Sequence, residues 1–252
     1  GKGGIISWAK VGLDPKLHFA ELKSFMVALR GTVLSCDTAI MHSPILNTAA
    51  LGKIVDRSMK GNFNDDRQLN FPQFVSFQEI YEIKSLIEDV DYFGGFSMQG
   101  SEFVGIGSES NPATLRFHRN GKLFLKSESA VVRVNEKQLI ADNAKTTIFI
   151  GKKDSITHLG LSFMFFRDRR ELEMTRGNTG ISTAPFINTY HKLEMYVEKI
   201  IWKQKEDILD LTYNFSTSEQ KRSARFESFD YFNVELYQQQ QALEKINPLA
   251  AL

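Results

Sequence analysis

The chain has 252 residues, of which 42% are hydrophobic and 24% charged, a balance that excludes wholesale disorder and fits one large domain or two small ones. The formal net charge of +1 creates no field that would attract nucleic acid, so nucleic acid is excluded as a partner. The single cysteine, Cys36, excludes a disulfide framework within the chain and any metal site with several cysteine ligands.

The N-terminal third is predicted to form short strands. Residues 27–35 are mostly β-branched or apolar and are interrupted by Gly31, a pattern typical of a buried or bulged strand. Residues 60–70 are the most polar stretch of the chain, which indicates a loop or a boundary. We therefore divide the chain into an N-terminal β segment, a polar loop with a connecting segment, and a main β-rich domain, at residues 1–60, 61–90 and 91–252.

The middle of the chain has the strongest strand pattern, over residues 114–166. Within it, Asn120-Gly121 predicts a type I′ hairpin turn, because both central positions of that turn need a positive φ. Residues 74–87 fit both a helical and an alternating spacing. Residues 91–100 mix aromatic residues with glycines, and each glycine inside a helix costs about 1 kcal/mol relative to alanine, so a helix is excluded there.

Two later segments compete for a helical assignment. Residues 191–210 place their apolar side chains on one helical stripe, yet most of the same residues also alternate as in a strand. We favour strand because the neighbouring segments have strand patterns, and an α+β fold with a helix at 191–210 is the alternative. Residues 235–246 are rich in helix formers, and Asn247-Pro248 follows them, which predicts a short helix that ends there.

A weak repeat is visible in the extended runs, where an acidic residue stands beside small or aromatic neighbours. The four acidic residues are Asp37, Asp142, Glu198 and Glu227. Repeats of about 20–50 residues usually mean stacked units that bury a common core. Chance similarity among short β-like segments is the alternative.

No catalytic, cofactor-binding or metal-binding residue is predicted. The histidines show neither H-x-H nor H-E-x-x-H spacing, so the sequence has no local signature of a zinc site. Phosphate-binding loops and the Gly-x-Ser-x-Gly motif are also missing from the sequence. Cys36 lies in an apolar run and is interpreted as a small buried hydrophobic residue.

Acidic pairs keep one enzymatic hypothesis open. Residues i and i+2 of a strand point to the same side about 7 Å apart, within the roughly 5–10 Å between the two carboxyl groups of glycoside hydrolases. Asp89/Asp91 and Glu171/Glu173 have this spacing, and Asp65/Asp66 form a third pair. Solvated strand faces commonly carry such pairs, so a surface role is favoured. The aromatic residues of 226–237 are likewise interpreted as core or interface rather than as sugar contacts.

The ends of the chain resemble cuts through a longer polypeptide. Residues 1–6 lack a signal-peptide pattern and an initiator methionine, and residues 247–252 are apolar and uncharged. An expression remnant followed by a frayed tail is the alternative. No run approaches the roughly 20 apolar residues of a spanning helix, so the chain is not expected to span a membrane.

Several phrases of the sequence are distinctive: residues 3–13 (GGIISWAKVGL), 90–100 (VDYFGGFSMQG), 154–158 (DSITH), 180–185 (GISTAP), 189–191 (TYH) and 226–229 (FESF). Together they resemble a family of large, uncharacterised, envelope-associated β-rich proteins of Bacteroidetes-type bacteria. The resemblance implies that the chain is an internal segment of a longer protein in the periplasm or cell envelope of a Gram-negative bacterium. The family has no assigned activity, so it implies no functional residues.

The extended runs with acidic residues also resemble OstA-like β-folds, which carry lipopolysaccharide between membranes. We therefore expect a mainly β, elongated fold of stacked strands, either a β-solenoid or an OstA-like open β-fold, with one or two short helices. The leading hypothesis for function is a non-enzymatic scaffold whose partners are flanking segments of the same polypeptide or other envelope proteins. A lipid or glycolipid conduit and a carbohydrate-binding or carbohydrate-active β-sandwich, using the acidic pairs or exposed Tyr and Trp, are the alternatives.

Overall fold

The computed structural model describes residues 1–28, 30–46, 49–57, 70–212, 224–229, 234–235 and 237–239. The fold is mainly β, with 62% strand and 6% helix, which confirms the predicted class. Among the described residues, twenty strands belong to one hydrogen-bonded sheet, and every ladder is antiparallel. In a parallel β-helix, by contrast, the strands of successive coils pair in parallel, so the antiparallel ladders differ from that form of β-solenoid.

The strands of the first half of the chain are β1 (Lys2–Ser7), β2 (Phe19–Ser24), β3 (Met26–Val27), β4 (Val33–His42), β5 (Ala50–Arg57), β6 (Gln73–Ser76), β7 (Tyr81–Ile87), β8 (Val90–Gln99), β9 (Glu102–Ile106) and β10 (Ala113–Arg119). Those of the second half are β11 (Lys122–Ser129), β12 (Val131–Val134), β13 (Gln138–Ile150), β14 (Asp154–Phe166), β15 (Glu171–Arg176), β16 (Phe186–Asn188), β17 (Leu193–Tyr196), β18 (Lys199–Lys203), β19 (Leu209–Thr212) and β20 (Arg225–Ser228). Short 3-10 helices lie at Ala9–Val11 and Gly180–Thr183.

The order of the strands across the sheet largely follows their order in the chain. Strand β1 pairs with β2, β2 with β4, β4 with β5, β5 with β6 and β6 with β8. The second half continues in the same direction through β13 and β14 to β18 and β19 on one side, and to β17 and β20 on the other. Sequence neighbours are therefore largely spatial neighbours in the sheet.

Three long strands divide the sheet into two layers. Each of β8, β13 and β14 pairs along one half of its length with one set of short strands, and along the other half with a second set. The first layer contains β6, β9, β12, β15, β18 and β19. The second layer contains β7, β10, β11, β16, β17 and β20. We call the line along which the long strands pass between the layers the ridge.

Irregular residues mark the ridge in β8 and in β13. In β8 the change occurs at Gly94, whose φ of 147° favours glycine. In β13 a register shift falls between Ala141 and Ala144, and Asn143 has a φ of 50°. Such a bulge inserts an extra residue, so buried positions on both sides of it face the same core.

The same bulge occurs in β4 and gives the weak repeat a physical meaning. There the register shift falls between Cys36 and Ala39, and the exposed Asp37 follows the buried Cys36. In β13 the exposed Asp142 follows the buried Ala141 in the same way. In both strands a buried alanine ends the bulge. Glu198 and Glu227 do not lie at bulges of this kind, since the first lies between β17 and β18 and the second lies within the β17–β20 ladder.

A continuous stripe of inward-facing side chains runs from β4 and β5 through the first layer. Its members pair from strand to strand and, except for the partly buried Leu209, are fully or almost fully buried: Cys36, Ile54, Phe74, Met98, Phe103, Val134, Leu139, Phe165, Leu172, Trp202 and Leu209. One buried cluster contains residues from β1 to β18. The predicted divisions at residues 60 and 90 stay a prediction.

Aromatic contacts show that the two layers face each other across this core. Strand β10 is separated from β14 by three ladder steps, through β11 and β13, which is about 14 Å along a flat sheet. The ring of Phe117 in β10 nevertheless lies 5.7 Å from that of Phe163 and 5.4 Å from that of Phe165, both in β14. Phe124 of β11 lies 4.4 Å from Trp202 of β18. The sheet is therefore folded back on itself, and side chains of both layers fill the space between them.

Polar contacts close the layers on the side opposite the ridge. Glu88, in the turn before β8, forms ion pairs with Arg170 and with Lys205, the latter at 2.9 Å. Gln204 Nε2 donates a hydrogen bond of 2.8 Å to the Glu88 carbonyl oxygen. The hydrogen bonds from Arg170 and Lys205 lower the pKa of Glu88 from its ordinary 4.5 to about 2. We call these four residues the clasp.

The positions of the strands decide three predictions of local structure. The helix considered at 191–210 is wrong, because β17, β18 and the start of β19 occupy that segment. The single strand predicted over 27–35 is divided, with a turn at residues 30–32 between β3 and β4. The Asn120-Gly121 hairpin is confirmed, with φ values of 53° and 71° between β10 and β11.

The remaining local predictions concern helices. Residues 234–235 and 237–239 are helical, and the rest of the helix predicted at 235–246 lies outside the described residues. Residues 74–87 form β6 and β7, which resolves their ambiguity as strand. In the part of the chain that the structure describes, no helix is long and apolar enough to cross a membrane.

Candidate functional site

The β19–β20 edge exposes the end of the core. Leu211 of β19 pairs with the buried Ile200, and Phe226 of β20 pairs with the buried Met195, so both continue inward-facing stripes. Yet Leu211 is 42% exposed and Phe226 is 48% exposed. Among the described residues, β19 pairs with β18 alone and β20 with β17 alone, so no further row covers these side chains. Apolar edge strands of this kind are templates for pairing with another strand.

The opposite edge, at β1, differs because its inward side is covered. Ile6 of β1 and Trp8, which follows it, are buried, and the 3-10 helix Ala9–Val11 comes next in the chain. Strand β1 pairs only with β2 among the described residues, so its outer backbone edge is still open, and Ile5 points outward and is exposed. The two edges are therefore not equivalent: the core is capped at β1 and exposed at β19–β20.

A cleft of about 200 Å³ lies on the ridge, where β8 passes from one layer to the other. The loop between β6 and β7 and the loop between β9 and β10 form its sides, and Gly95 and Phe96 of β8 form its floor. Its lining residues include Phe77, Gln78, Glu79, Ile106, Ser108 and Asn111. We call this feature the ridge cleft.

Hydrogen bonds hold both sides of the ridge cleft in place. Ser76 Oγ accepts a 3.3 Å hydrogen bond from the Phe96 N–H and donates one of 3.0 Å to the Gln78 carbonyl oxygen. Gln78 Nε2 donates to the Ile80 carbonyl oxygen at 2.6 Å. On the other side, the Asn111 N–H donates to Ser108 Oγ at 3.1 Å.

The floor of the ridge cleft requires glycine. A Cβ atom on Gly95 would lie 2.9 Å from the carbonyl oxygen of Ile106, a backbone atom that cannot move aside cheaply. Tyr92 lies beneath this point, and its hydroxyl donates a 2.6 Å hydrogen bond to the Gly95 carbonyl oxygen. Burial raises the pKa of Tyr92, so its phenol stays protonated and keeps that bond.

The two described acidic pairs, Asp89/Asp91 and Glu171/Glu173, are held by other contacts and do not line the ridge cleft. Glu173 forms an ion pair of 2.5 Å with Lys199, and Glu171 lies 3.4 Å from Arg169. Asp91 Oδ1 accepts a 2.9 Å hydrogen bond from the Ser85 N–H.

The other members of these pairs have equally local roles or lie outside the described residues. Asp89 adopts a φ of 62° in the turn before β8, and its carbonyl oxygen accepts a 2.8 Å bond from the His118 N–H. Asp65 and Asp66 lie outside the described residues. Neither described pair therefore belongs to the ridge cleft.

The aromatic residues considered for sugar contacts divide into two groups. Trp8 and Trp202 are both completely buried, so the exposed tryptophans of the carbohydrate hypothesis were wrong. Of the described aromatic residues in 226–237, Phe226, Phe229 and Tyr237 are each close to half exposed.

The histidines and the cysteine occupy separate positions. His158 is buried at the ridge in β14, where its Nδ1 accepts a 3.0 Å hydrogen bond from the Gly160 N–H and its Nε2 donates one of 2.9 Å to the Ala184 carbonyl oxygen. Burial lowers the pKa of His158, so the neutral ring is favoured. Cys36 is buried, as its apolar run indicated. The described residues contain no group of three or more His, Cys, Asp or Glu side chains arranged to hold a metal ion.

Comparisons of the chain with protein-family models, with curated proteins and with solved structures found no match. The family resemblance, the OstA-like pattern and the envelope location therefore stay predictions.

Sequence reasoning missed the ridge cleft. Its residues have no motif spacing, since they come from two loops about 30 positions apart that only the pairing of β8 with both neighbours brings together. The turn residues at 107–112 were the available signal, because Gly, Ser, Asn and Pro concentrate there between two strands.

Proposed function

We propose that this chain is a non-enzymatic structural section of a larger stacked β-assembly, which further strands extend at the β19–β20 edge. The observation that carries the proposal is the exposure of Leu211 and Phe226, which end two stripes that are otherwise inward-facing and largely buried. A sheet that finishes at such residues leaves apolar surface in water, whereas another row would bury it.

The order of the strands supports the same proposal. Each row is added in chain order, so a continuing polypeptide could add rows without changing any existing pair. The capped core at Trp8 gives the assembly a direction, from the β1 edge toward the β19–β20 edge. We place the section in the cell envelope of a Gram-negative bacterium on the sequence resemblance alone, with flanking segments of the same polypeptide or other envelope proteins as partners. A lipid conduit stays an untested prediction.

Site-specific photo-cross-linking in the source cells tests this proposal. A photoreactive phenylalanine analogue at position 211 is expected to form cross-links to another polypeptide segment, identified by mass spectrometry. The same analogue at Lys152, in the exposed hairpin turn between β13 and β14, serves as the control. Equal or absent cross-linking at both positions would count against an edge that further strands cover.

A further inference from the structure

We infer that the ridge cleft binds a single pyranose ring of a neutral glycan, by a site that is independent of the structural role of the β19–β20 edge. Its volume of about 200 Å³ is below the roughly 300–1,000 Å³ of sites for drug-sized ligands, which suits one ring rather than a long chain. The apolar wall, the polar rim and the charges of the cleft each favour this ligand.

The apolar wall fits one face of a sugar ring. Phe77 is 54% exposed and Ile106 is 38% exposed, although both are large hydrophobic side chains at the same cleft. A pyranose presents C–H groups on its faces, and these carry a partial positive charge that the negative face of a phenyl ring attracts. Stacking on Phe77 would thus bury apolar surface that the chain leaves in water.

The polar rim supplies hydrogen-bonding groups of both kinds for the hydroxyls of such a ring. Glu79 offers carboxylate oxygens, which only accept, whereas the side-chain amide of Asn111 both donates and accepts. Gln78 is oriented by the bond from its Nε2 to the Ile80 carbonyl oxygen, which leaves its side-chain oxygen as an acceptor. A sugar hydroxyl is itself both donor and acceptor, so it can satisfy this mixed rim.

The charges of the ridge cleft disfavour other ligand classes. None of the described lining residues is a lysine or arginine, and Glu79 would repel a phosphate or a carboxylate. A lone carboxylate is a poor site for a divalent cation, which needs several oxygen ligands. The polar rim and small volume do not suit an acyl chain. Of the ligand classes considered, a neutral ring that carries hydroxyl groups fits the ridge cleft best.

Saturation-transfer NMR on the full chain tests this inference. The probes are the methyl glycosides of glucose, galactose, mannose and N-acetylglucosamine, with inorganic phosphate as a competitor. We expect saturation transfer to at least one glycoside, no displacement by phosphate, and an affinity about tenfold weaker in both Phe77→Ala and Glu79→Gln, since one stacked ring or one charged hydrogen bond is worth roughly 1–2 kcal/mol. The matched control is Phe229→Ala, which removes another half-exposed ring and should leave binding unchanged.

Three results would overturn the inference: no transfer to any glycoside, unchanged binding in Phe77→Ala, or an equal loss in Phe229→Ala. Near-ultraviolet circular dichroism of each variant checks that it is folded. Because Phe77 is on the surface, a folded variant is expected.

Discussion

A double-mutant cycle on Phe117 and Phe165 tests whether the two layers pack face to face. The two rings belong to different layers, and their centroids are 5.4 Å apart in an edge-to-face arrangement. Both side chains are completely buried. Replacing each by leucine removes the ring contact while keeping an apolar side chain in the core, so the variants should still fold.

The expected magnitudes follow from this geometry. Each single change should lower the free energy of unfolding by about 1 kcal/mol, because leucine fills the space of phenylalanine imperfectly. An edge-to-face aromatic pair is worth about 0.5–1.5 kcal/mol beyond its buried area, so the two changes should be non-additive by that amount. On a flat sheet, where the two strands would be about 14 Å apart, the changes should add within about 0.3–0.5 kcal/mol.

Equilibrium urea unfolding of the four proteins supplies the measurement. The control cycle combines Phe117→Leu with Ile5→Leu, because Ile5 points outward at the β1 edge and is exposed, whereas Phe117 is completely buried in the core. That cycle should be additive. Additivity in the Phe117/Phe165 cycle as well would refute the folding of the sheet onto itself.

Three further predictions concern the bulge, the clasp and the buried histidine. Deletion of Asn143 removes the bulge of β13 and turns half of the inward stripe outward, so circular dichroism should show loss of cooperative unfolding. Because Glu88 has a pKa lowered from 4.5 to about 2, its contribution to stability is complete above pH 4.5 and is lost as the pH falls toward 2; Glu88→Gln should flatten the denaturation profile over that range. His158 has a pKa below its ordinary 6.5, so the unfolded chain takes up its proton first and stability falls as the pH drops below 6.5, a dependence that His158→Gln should reduce in thermal scans.

The mainly β class was predictable because most segments alternate or combine β-branched and aromatic residues. The alternative of a helix at 191–210 shows where inference from the spacing of apolar residues fails. Met195 and Val197 are buried on one parity, whereas Ile200 and Trp202 are buried on the other. The parity changes because the chain passes from β17 in the second layer to β18 in the first between them. A step of three within an alternating pattern resembles a helical spacing, and only the tertiary arrangement distinguishes the two.

The sequence marks the positions of the bulges in β4 and β13, but it does not show that these positions are bulges. Asp37 and Asp142 are acidic residues within extended runs, and each is the exposed residue that follows a buried one at a bulge. The clasp was not predictable, because Glu88 and Lys205 are distant in sequence and have no pattern in common. The same holds for the ridge cleft, whose sides meet only through the pairing of β8.

The central claim is that the β19–β20 edge is covered by further strands in the working assembly. Hydrogen–deuterium exchange with mass spectrometry measures this most directly, on peptides covering Leu209–Thr212 in the isolated chain and in the envelope fraction of the source cells. We predict that the amides of Leu209–Thr212 that point away from β18 exchange rapidly in the isolated chain and are strongly protected in the envelope fraction, with β8 protected in both. Equally fast exchange at Leu209–Thr212 in both samples would contradict the claim.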